Sequence, residues 1–403
     1  MSRGTATREL LTVADALACI LEHAKPLSAE SVLLADAAGR VLSEPALSSS
    51  DLPPFASSAM DGFAVRAADT PGELPITARV VAGRPAPDAL APGAAAAIAT
   101  GGVVPDGADT VVPLERVVER DGHVSIPDRL QSASHIRPQG GDVRVGEQVV
   151  DAGIRLGPAQ IGALAASGIG EVHCARRPRV CVLATGTELR APGDSLEPGE
   201  IYESNRPMIA ALLARFGAKV ELLPVVIDDE SAHRAALEQG LEADVLVTSG
   251  GVSVGPHDLV RRIEEELGVE ERFWGVAVKP GKPLSFGTRA ATLVFGLPGN
   301  PVSSLVASLV FVAPALLALQ GASDAGPVYE HGRTTTALQR NGQRDEFVRA
   351  ERIATAAGVE LAPVTGQESH MIVRAASADA LVHVPRGDGR IEEGELVRYL
   401  VLA

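Results

Sequence analysis

Carboxylate side chains recur in the middle of this 403-residue chain, each close behind an apolar run. Glu188 follows "VCVLA", Asp228 follows "ELLPVV", and Asp258 ends the stretch "TSGGVSVGPHD" that follows "DVLV". Oxygen ligands of this kind suit Mg²⁺, so the three acids are candidate metal ligands with catalytic roles. Asp258 also stands at the start of the helical pattern "DLVRRIEEEL", where an aspartate caps a helix well. Both interpretations of Asp258 stay open.

Two lysines, Lys279 and Lys282, stand three residues apart in "KPGKPLSFG". A pair of solvated lysines on a turn is the ordinary interpretation of such a stretch. The prolines restrict the loop backbone, however, and so hold the lysine stems in place. We therefore predict a rigid cationic hook for oxyanions, with a catalytic role for both lysines.

Glycine-rich turns follow the same apolar runs. Gly250, Gly251 and Gly255 let the backbone turn and bring N–H groups close to a ligand, which suits phosphate. The turn "LPGNPVSS" opens a helix. There Asn300 or Ser303 caps the helix, or the turn binds an anion, and the sequence leaves both open.

These motifs require a sheet that brings strand ends together. From residue 177 apolar strand patterns alternate with helical ones, which predicts a parallel sheet covered on both faces. Ligands bind such sheets beyond the carboxyl ends of the strands, where the acids, lysines and glycine turns all fall. One helix, "NRPMIAALLARFG", is predicted to be capped by Asn205 and ended by Gly217.

The remaining chain predicts three further pieces. Residues 12–25 read as an amphipathic helix capped by Thr12, and helical pattern returns at 158–168. Between them, 51–137 is broken by Pro and Gly into short strands and looks like an inserted β domain. Residues 326–403 predict a small barrel or sandwich. The uncharged segment 303–319 approaches membrane-spanning length, but its proline and solitary position favour a core helix.

Composition excludes several classes of function. The net charge of −15 argues against a nucleic-acid interface. Three cysteines without a CxxC spacing predict neither disulfides nor a zinc site. The N-terminus lacks the apolar core of a signal peptide, so we expect a cytoplasmic protein that does not bind a membrane. In "SSAMDGFAV" and "ATGGVVPDGADTVV", Asp61 and Thr100 by themselves indicate only turns.

Taken in order, nine motifs resemble the molybdopterin molybdenumtransferase family, the MoeA-type molybdenum insertases that include the E domain of gephyrin. The motifs extend over nearly the whole chain: "SSAMDGFAVR", "TGGVVPDGADTVVPLE", "RPQGGDVRVGE", "LATGTEL", "IYESNRPMI", "VTSGGVSVGPHD", "VAVKPGKPLSFG", "FGLPGNPVSS" and "GQESHMI".

The resemblance implies a multidomain α/β plus β fold. An elongated, helical and dimerising domain I (1–50 and 138–176) is interrupted by a β-rich domain II (51–137). A mostly parallel, molybdopterin-binding α/β domain III (177–325) and a C-terminal β-barrel domain IV (326–403) follow. The family forms homodimers that insert molybdenum from molybdate into adenylylated molybdopterin with Mg²⁺, releasing AMP. The adenylyltransferase of the preceding step and cofactor-accepting enzymes are expected partners.

The resemblance also assigns roles to individual residues. Asp61 matches a functional aspartate of domain II, and the acids and lysines named above match the catalytic set. Asp258, Asp228 and Glu188 are the implied metal ligands. The substrate-binding positions are Thr100, Thr185, Gly186, Ser249, Gly250, Gly251, Ser253, Pro298, Gly299, Asn300, Pro301 and Ser369.

Three positions depart from the family pattern. Phe63 replaces a Tyr, Glu368 replaces a Gly and Asp379 replaces an Asn. Two other functions stay open: a non-catalytic molybdopterin-binding or scaffolding protein, and a molybdopterin adenylyltransferase. The adenylyltransferase resembles domain III alone, so domains II and IV favour the later, molybdenum-inserting step.

Overall fold

The first helix, α1 (Val13–His23), begins as predicted, with the Thr12 hydroxyl accepting a hydrogen bond from the Asp15 amide at 3.0 Å. The computed structural model of the protein describes residues 10–227, 229–251 and 259–402. Ala16 and Ile20 of α1 are fully buried in the largest core. Two short strands follow, β1 (Ala29–Leu33) and β2 (Ala46–Leu47).

The part of the chain predicted to be an inserted β domain consists mainly of strands. Its strands are β3 (Ser57–Ser58), β4 (Gly62–Val65), β5 (Gly72–Val80), β6 (Ala95–Ile98), β7 (Thr110–Pro113), β8 (Val118–Arg120), β9 (His123–Ile126) and β10 (Ile136–Arg137). Six of them form a sheet in the order β7-β4-β6-β5-β9-β8, and β10 pairs with β3.

The chain on either side of this unit pairs with itself. β11 (Gln148–Val150) lies antiparallel to β2, and β12 (Glu171–Ala175) lies antiparallel to β1. The helix α2 (Pro158–Ala166) stands between them, with proline at its first position. Segments from before and after the β-rich unit thus form one layer, and the unit is inserted within it.

An α/β unit with a mostly parallel sheet follows. Its elements are β13 (Arg179–Ala184), β14 (Leu189–Arg190), β15 (Ile201–Tyr202), α3 (Asn205–Arg215), β16 (Lys219–Leu222), α4 (Glu230–Gly240), β17 (Val245–Ser249), α5 (Leu259–Glu266), β18 (Glu270–Trp274), β19 (Val278–Lys279), β20 (Ser285–Arg289) and β21 (Thr292–Leu297). The sheet order is β16-β13-β17-β21-β20-β18, and the first four strands are mutually parallel. Separate apolar cores cover its two faces.

The long apolar segment is a core helix. It runs as α6 (Pro301–Ala307), a π-helical turn at Ser308–Val312, and α7 (Ala313–Leu319). By length and composition it could cross a membrane, but 83% of its apolar window is buried inside the structure. It packs against α1, α3 and the sheet, as the sequence predicts for a core helix.

The C-terminal part is a closed barrel. Its elements are β22 (Glu330–Thr334), β23 (Leu338–Gln339), β24 (Asp345–Thr355), β25 (Gly358–Pro363), α8 (Ile372–Ala375), β26 (Ala380–Val384), β27 (Arg390–Ile391) and β28 (Leu396–Val401). Five strands run in the order β24-β25-β22-β28-β26, and a further pairing of β24 with β26 closes the ring. The alternative prediction of a sandwich is therefore wrong.

Two predicted strands differ from the structure. The run "FWGVAV" is not one strand, because the chain leaves the sheet at Gly275 (φ 88°) and Val278–Lys279 instead pairs with β24 of the barrel. The run "KVELLPVV" ends as a strand at Leu222, two residues before a proline that cannot donate to the ladder.

A partly buried aspartate, Asp244, fixes the start of the sheet. The two terminal nitrogens of Arg176 each donate to an oxygen of Asp244 at 2.6 Å, and the Arg179 amide donates at 2.8 Å. Burial raises the pKa of Asp244, but the hydrogen bonds from Arg176 and Arg179 outweigh it, so the pKa is lowered overall. Arg176 follows β12, so this contact ties the layer of β1 and β12 to the sheet.

We predict that Asp244→Asn lowers the free energy of unfolding at pH 7 by about 2 kcal/mol, because charged hydrogen bonds are lost. Since the folded pKa of Asp244 is depressed, its contribution is complete above the ordinary aspartate pKa of about 3.9 and disappears as pH falls through the folded value. Urea unfolding from pH 7 down to pH 2 should therefore show a shallower acid decline in the variant. The control is Asp121→Asn in the exposed Arg120–Asp121 pair, which should change little. Parallel curves for Asp244→Asn and wild type would contradict the prediction.

Candidate functional site

A cleft of about 840 Å³ lies beyond the carboxyl ends of β13, β17 and β21. This is the edge of the sheet where the sequence predicts the ligand. Ten of the predicted site residues line it: Thr185, Glu188, Ser249, Gly250, Gly251, Lys282, Pro298, Gly299, Asn300 and Pro301.

Backbone hydrogen bonds hold the three strand ends together below the cleft. The Thr185 amide donates to the Ser249 carbonyl at 3.2 Å, and the Gly250 amide donates to the Leu297 carbonyl at 3.1 Å. Gly250 and Gly251 both have positive φ, 91° and 69°. A Cβ on Gly251 would lie 2.6 Å from Val260 Cγ2, so only glycine permits this turn.

The Glu188 carboxylate lies against the backbone at the end of β13. A Cβ on Gly186 would lie 2.6 Å from Glu188 Oε2 and 2.9 Å from Oε1. Gly186 therefore leaves room for this carboxylate, but it is not among the described residues that line the cleft, and its predicted substrate-binding role stays a prediction. No described residue donates a hydrogen bond to the side chain of Glu188. Its two oxygens fit a hard cation such as Mg²⁺.

A second carboxylate in the cleft wall was not anticipated from the sequence. Glu203 is 2% exposed and accepts hydrogen bonds from the Arg206 amide at 2.8 Å and Arg206 Nε at 2.9 Å. Arg206 also donates to the Leu223 carbonyl. Because Arg206 occupies both oxygens of Glu203, this acid fixes the start of α3 rather than offering metal ligands.

Asn205 does not cap α3 as predicted. Ser204 is the N-cap, and Asn205 is the first helical residue, 9% exposed. Its Nδ2 donates to Ser249 Oγ and to the Gly299 carbonyl, both at 2.8 Å. The side chain thus joins the turns that follow β17 and β21 across the floor of the cleft. Asparagine before a helical pattern resembles a cap in sequence, which hides this role.

The two predicted lysines have different surroundings. Lys282 is exposed and lines the cleft. Lys279 is not among the described residues that line it, and its ammonium forms an ion pair with Glu346 of β24. The cationic loop therefore faces the cleft at one end and the barrel at the other.

Ser369 contacts the turn Pro298–Pro301 and the start of α6. Asn300 Nδ2 donates to Ser369 Oγ at 2.8 Å, and the Val302 amide donates to the Ser369 carbonyl at 3.0 Å. Asn300 occupies the N-cap position of α6 but makes no side-chain cap, since its amide binds Ser369 instead. Ser369 is not among the described residues that line the cleft, whereas His370 and Ile372 of the same segment line it.

A buried arginine holds the barrel loop that carries Ser369. Arg349 is 1% exposed and donates to the carbonyls of Met371 at 2.8 Å, Gly366 at 2.6 Å and Glu368 at 3.3 Å. The Gln367 side chain binds the Arg349 backbone from the same loop. The loop is therefore fixed through its backbone, although nothing in its sequence points to Arg349.

Asp61 and Thr100 lie apart from this cleft, in the inserted sheet. The Thr100 amide and hydroxyl both donate to Asp61 Oδ1, at 2.7 and 2.9 Å, and lower the pKa of Asp61, the amide most. The neighbouring Gly62 does not form a turn but begins β4, where a Cβ would lie 2.0 Å from the Val112 carbonyl oxygen. Among the described residues lining the cleft, neither Asp61 nor Thr100 appears.

Asp228, Ser253 and Asp258 lie outside the described residues, so their predicted roles remain predictions. Within the described ranges, no group of three or more His, Cys, Asp or Glu side chains is arranged to hold a metal ion. Glu188 is the described member of the predicted metal set. Other described lining residues escaped the sequence argument, including Tyr202, Trp274 and His370. Trp274 could have been identified from the sequence, because it stands in "FWGVAV", shortly before the lysine-containing stretch "KPGKP".

Sequence models of known families match three successive parts of the chain. The MoeA N-terminal region (domain I and II) matches residues 11–168, and a probable molybdopterin binding domain matches 181–318. The MoeA C-terminal region (domain IV) matches 331–402.

Relatives resemble nearly the whole chain. The molybdopterin molybdenumtransferase of Haemophilus influenzae is 34% identical over 395 residues, 96% of this chain and 98% of its own length. That of a Nostoc species is 35% identical over 93% of this chain and 88% of its own. The crystal structure of a molybdopterin biosynthesis MoeA protein from Pyrococcus horikoshii is 30% identical, with a TM-score of 0.81, 98% of this chain and 100% of that chain covered.

We predict that Thr100→Val raises the pKa of Asp61 towards its ordinary value. The substitution removes the hydroxyl donor, while the amide donor remains, so the rise should be partial. Carboxyl carbon shifts in an NMR titration measure it directly. Thr100→Ser keeps the hydroxyl and is the matched control, with an unchanged pKa. An identical Asp61 titration in Thr100→Val and wild type would show that the hydroxyl bond is not formed in solution.

Proposed function

Because this chain belongs to the molybdopterin molybdenumtransferase family, we propose that it inserts molybdenum from molybdate into adenylylated molybdopterin, releasing AMP and molybdenum cofactor. The observation that carries the proposal is 34% identity, over 96% of the chain, to a relative of that name. A cleft of about 840 Å³ at the strand ends supports it, since small-molecule sites commonly measure about 300–1,000 Å³.

Charge sets the main problem for this reaction. Molybdate and the pyrophosphate of the adenylylated substrate are both anionic, so they repel each other unless nearby cations offset the charge. Lys282 lines the cleft and supplies one such cation. The Gly250 amide already donates to the Leu297 carbonyl, so Gly251 is the residue of this turn whose main-chain N–H suits a phosphate oxygen in the same cleft. Lys279 supplies a second cation only where an oxyanion replaces its partner Glu346.

Magnesium, when bound, neutralises charge on the pyrophosphate. We propose that Glu188 holds it, together with Asp228 and Asp258 as the further ligands predicted from the sequence. Glu188 suits this role because neither of its oxygens has a described hydrogen-bond donor. Glu203 does not, since Arg206 binds both of its oxygens.

The chemistry divides into metal insertion and release of the nucleotide. The two dithiolene sulfurs of the pterin bind molybdenum as thiolates, and the two protons that they release convert one displaced oxo group into water. Cleavage of the phosphoanhydride by water then releases AMP. Asp61 accepts both hydrogen bonds from Thr100 at Oδ1, which lowers its pKa, and its other oxygen suits a role in orienting a water molecule by accepting a hydrogen bond.

Asp61 needs a route to this chemistry, because it does not line the cleft of its own chain in the described structure. We propose a homodimer in which Asp61 of one protomer approaches the cleft of its partner. The proposed place of action is the cytoplasm. The adenylyltransferase of the preceding step and enzymes that accept the cofactor are the proposed partners.

The proposal predicts that purified protein releases AMP from adenylylated molybdopterin only with molybdate and Mg²⁺ present. Glu188→Gln keeps the size of the side chain but removes its charge. The Mg²⁺ concentration that gives half-maximal activity should therefore rise about tenfold or more. Glu197→Gln is the control. Glu197 is an exposed acid that, like Glu188, lies between β13 and α3, but it is not among the described residues that line the cleft. AMP release is followed by chromatography across a magnesium titration.

Each competing function gives a different result in that assay. A binding or scaffolding protein takes up the pterin but releases no AMP. An adenylyltransferase consumes ATP and molybdopterin instead. Normal magnesium dependence in Glu188→Gln, with active wild type, would remove Glu188 from the metal site without affecting the proposed reaction.

The dimer proposal predicts complementation between two inactive variants. Asp61→Ala and Lys282→Ala homodimers should both be inactive. If Asp61 serves the partner's cleft, a mixed dimer has one intact site and one doubly altered site. Isolated mixed dimers, carrying two different tags, should therefore recover about half of wild-type AMP release. Absence of recovery in verified mixed dimers would place both residues of each site in one chain.

A further inference from the structure

We propose that Asn205 is a positioning residue that makes the Ser249 hydroxyl a hydrogen-bond donor to the bound ligand. The inference rests on the proposed function of the cleft, since it needs a ligand over the ends of β17 and β21. It adds to that function a residue, Asn205, that determines whether Ser249 donates or accepts the hydrogen bond with the ligand.

The orientation of the Asn205 amide follows from its partners. One end of the amide lies 2.8 Å from both Ser249 Oγ and the Gly299 carbonyl oxygen. A carbonyl oxygen can only accept a hydrogen bond, so the end facing Gly299 must be the nitrogen. The same nitrogen faces Ser249, and both of its hydrogens are therefore used.

This arrangement decides the role of the Ser249 hydroxyl. An amide nitrogen cannot accept a hydrogen bond, so Ser249 Oγ is the acceptor towards Asn205 and must direct its own proton elsewhere. No described residue receives that proton. Ser249 is only 2% exposed, yet it lines the cleft. Buried polar hydrogens almost always find a partner, and a ligand in the cleft provides one.

Stability alone does not explain Asn205. Its Oδ1 is buried and has no hydrogen-bond partner in the described structure. Leaving a buried carbonyl oxygen unpaired is destabilising. The side chain is held in this orientation despite that cost, which fits a role in ordering the cleft floor.

The ligand atom that Ser249 contacts must be an acceptor. A phosphate oxygen and a keto oxygen of the pterin ring share this chemistry. Both belong to adenylylated molybdopterin, and the two halves of the molecule, AMP and molybdopterin, can be offered separately.

The test is a double-mutant cycle on Kd for adenylylated molybdopterin, using Ser249→Ala, Asn205→Ala and the double variant. Quenching of Trp274, the single tryptophan of the chain and a residue of the cleft lining, reports binding. Ser249→Ala should weaken binding about tenfold or more, as expected for loss of a hydrogen bond to a charged or polar group. Asn205→Ala should weaken wild-type binding but have a smaller effect in the Ser249→Ala background. In both single variants, KM for adenylylated molybdopterin should rise while kcat changes little.

Asn205→Asp tests the direction of the hydrogen bond. The carboxylate is nearly isosteric, but it accepts the Ser249 proton and repels the Gly299 carbonyl, so binding should weaken more than in Asn205→Ala. The matched control is Gln320→Ala. Gln320 is also a buried amide whose nitrogen binds two carbonyls, at 2.8 Å each, but it does not line the cleft. That variant should lose Tm without a change in Kd.

Separate titrations with AMP and with molybdopterin locate the acceptor, and loss of affinity for either one in Ser249→Ala supports the inference. If wild type binds normally and Ser249→Ala has an unchanged Kd for all three ligands, the inference is overturned and the proposed function is not affected. Additive effects of Asn205→Ala and Ser249→Ala also overturn it, because they show independent roles. Wild type that binds none of the ligands overturns the proposed function and this inference with it.

Discussion

The burial of one helix, Pro301–Leu319, connects most of the structure. Its apolar side chains belong to a single core that also contains residues of α1, α3, the α/β sheet and the barrel. The same helix begins in the turn Pro298–Pro301 that lines the cleft. Because a close-packed core resists displacement, this turn is held in place from below. The position of the cleft floor is thus a consequence of core packing, and the polar contacts above it refine that position.

The sequence predicted the parts of the site that depend on local pattern. Apolar runs followed by glycine, acid or proline identified the ends of β13, β17 and β21, and the general rule for open sheets brought those ends together. It did not predict partners that are distant in sequence. Val278–Lys279 pairs with a strand that begins at Asp345, and the acid that binds Lys279 lies in that strand. No local pattern encodes such a pairing.

Asn205 and Glu203 show a second limit of the sequence argument. Asparagine is a common helix cap, so local preference gave a sufficient but wrong explanation for it. Whether a polar side chain at a helix start faces solvent or a buried neighbour depends on the turns that pack beside it. Here those turns belong to Ser249 and Gly299, far along the chain. The acids Asp228 and Asp258 fall outside the described residues, and their roles rest on the sequence alone.

Two of the three departures from the family pattern have clear structural settings. Phe63 is fully buried in the core of the inserted sheet, where a phenyl ring needs no polar partner. Asp379 accepts hydrogen bonds from the Arg352 amide at 2.7 Å and Arg352 Nε at 3.1 Å, so its charge is used within the barrel.

The way Arg349 fastens the barrel loop affects how this wall of the cleft can diverge. The guanidinium binds main-chain carbonyls. Every amino acid has the same main-chain carbonyl, whatever its side chain. Side chains at the exposed positions Glu368 and His370 can therefore change without moving the loop. A glutamate in place of glycine at position 368 then changes the charge of the loop that carries Ser369, while the contacts of Arg349 with the loop backbone stay the same. Exposed side chains of this loop can thus be exchanged on an unchanged backbone, with little cost to folding.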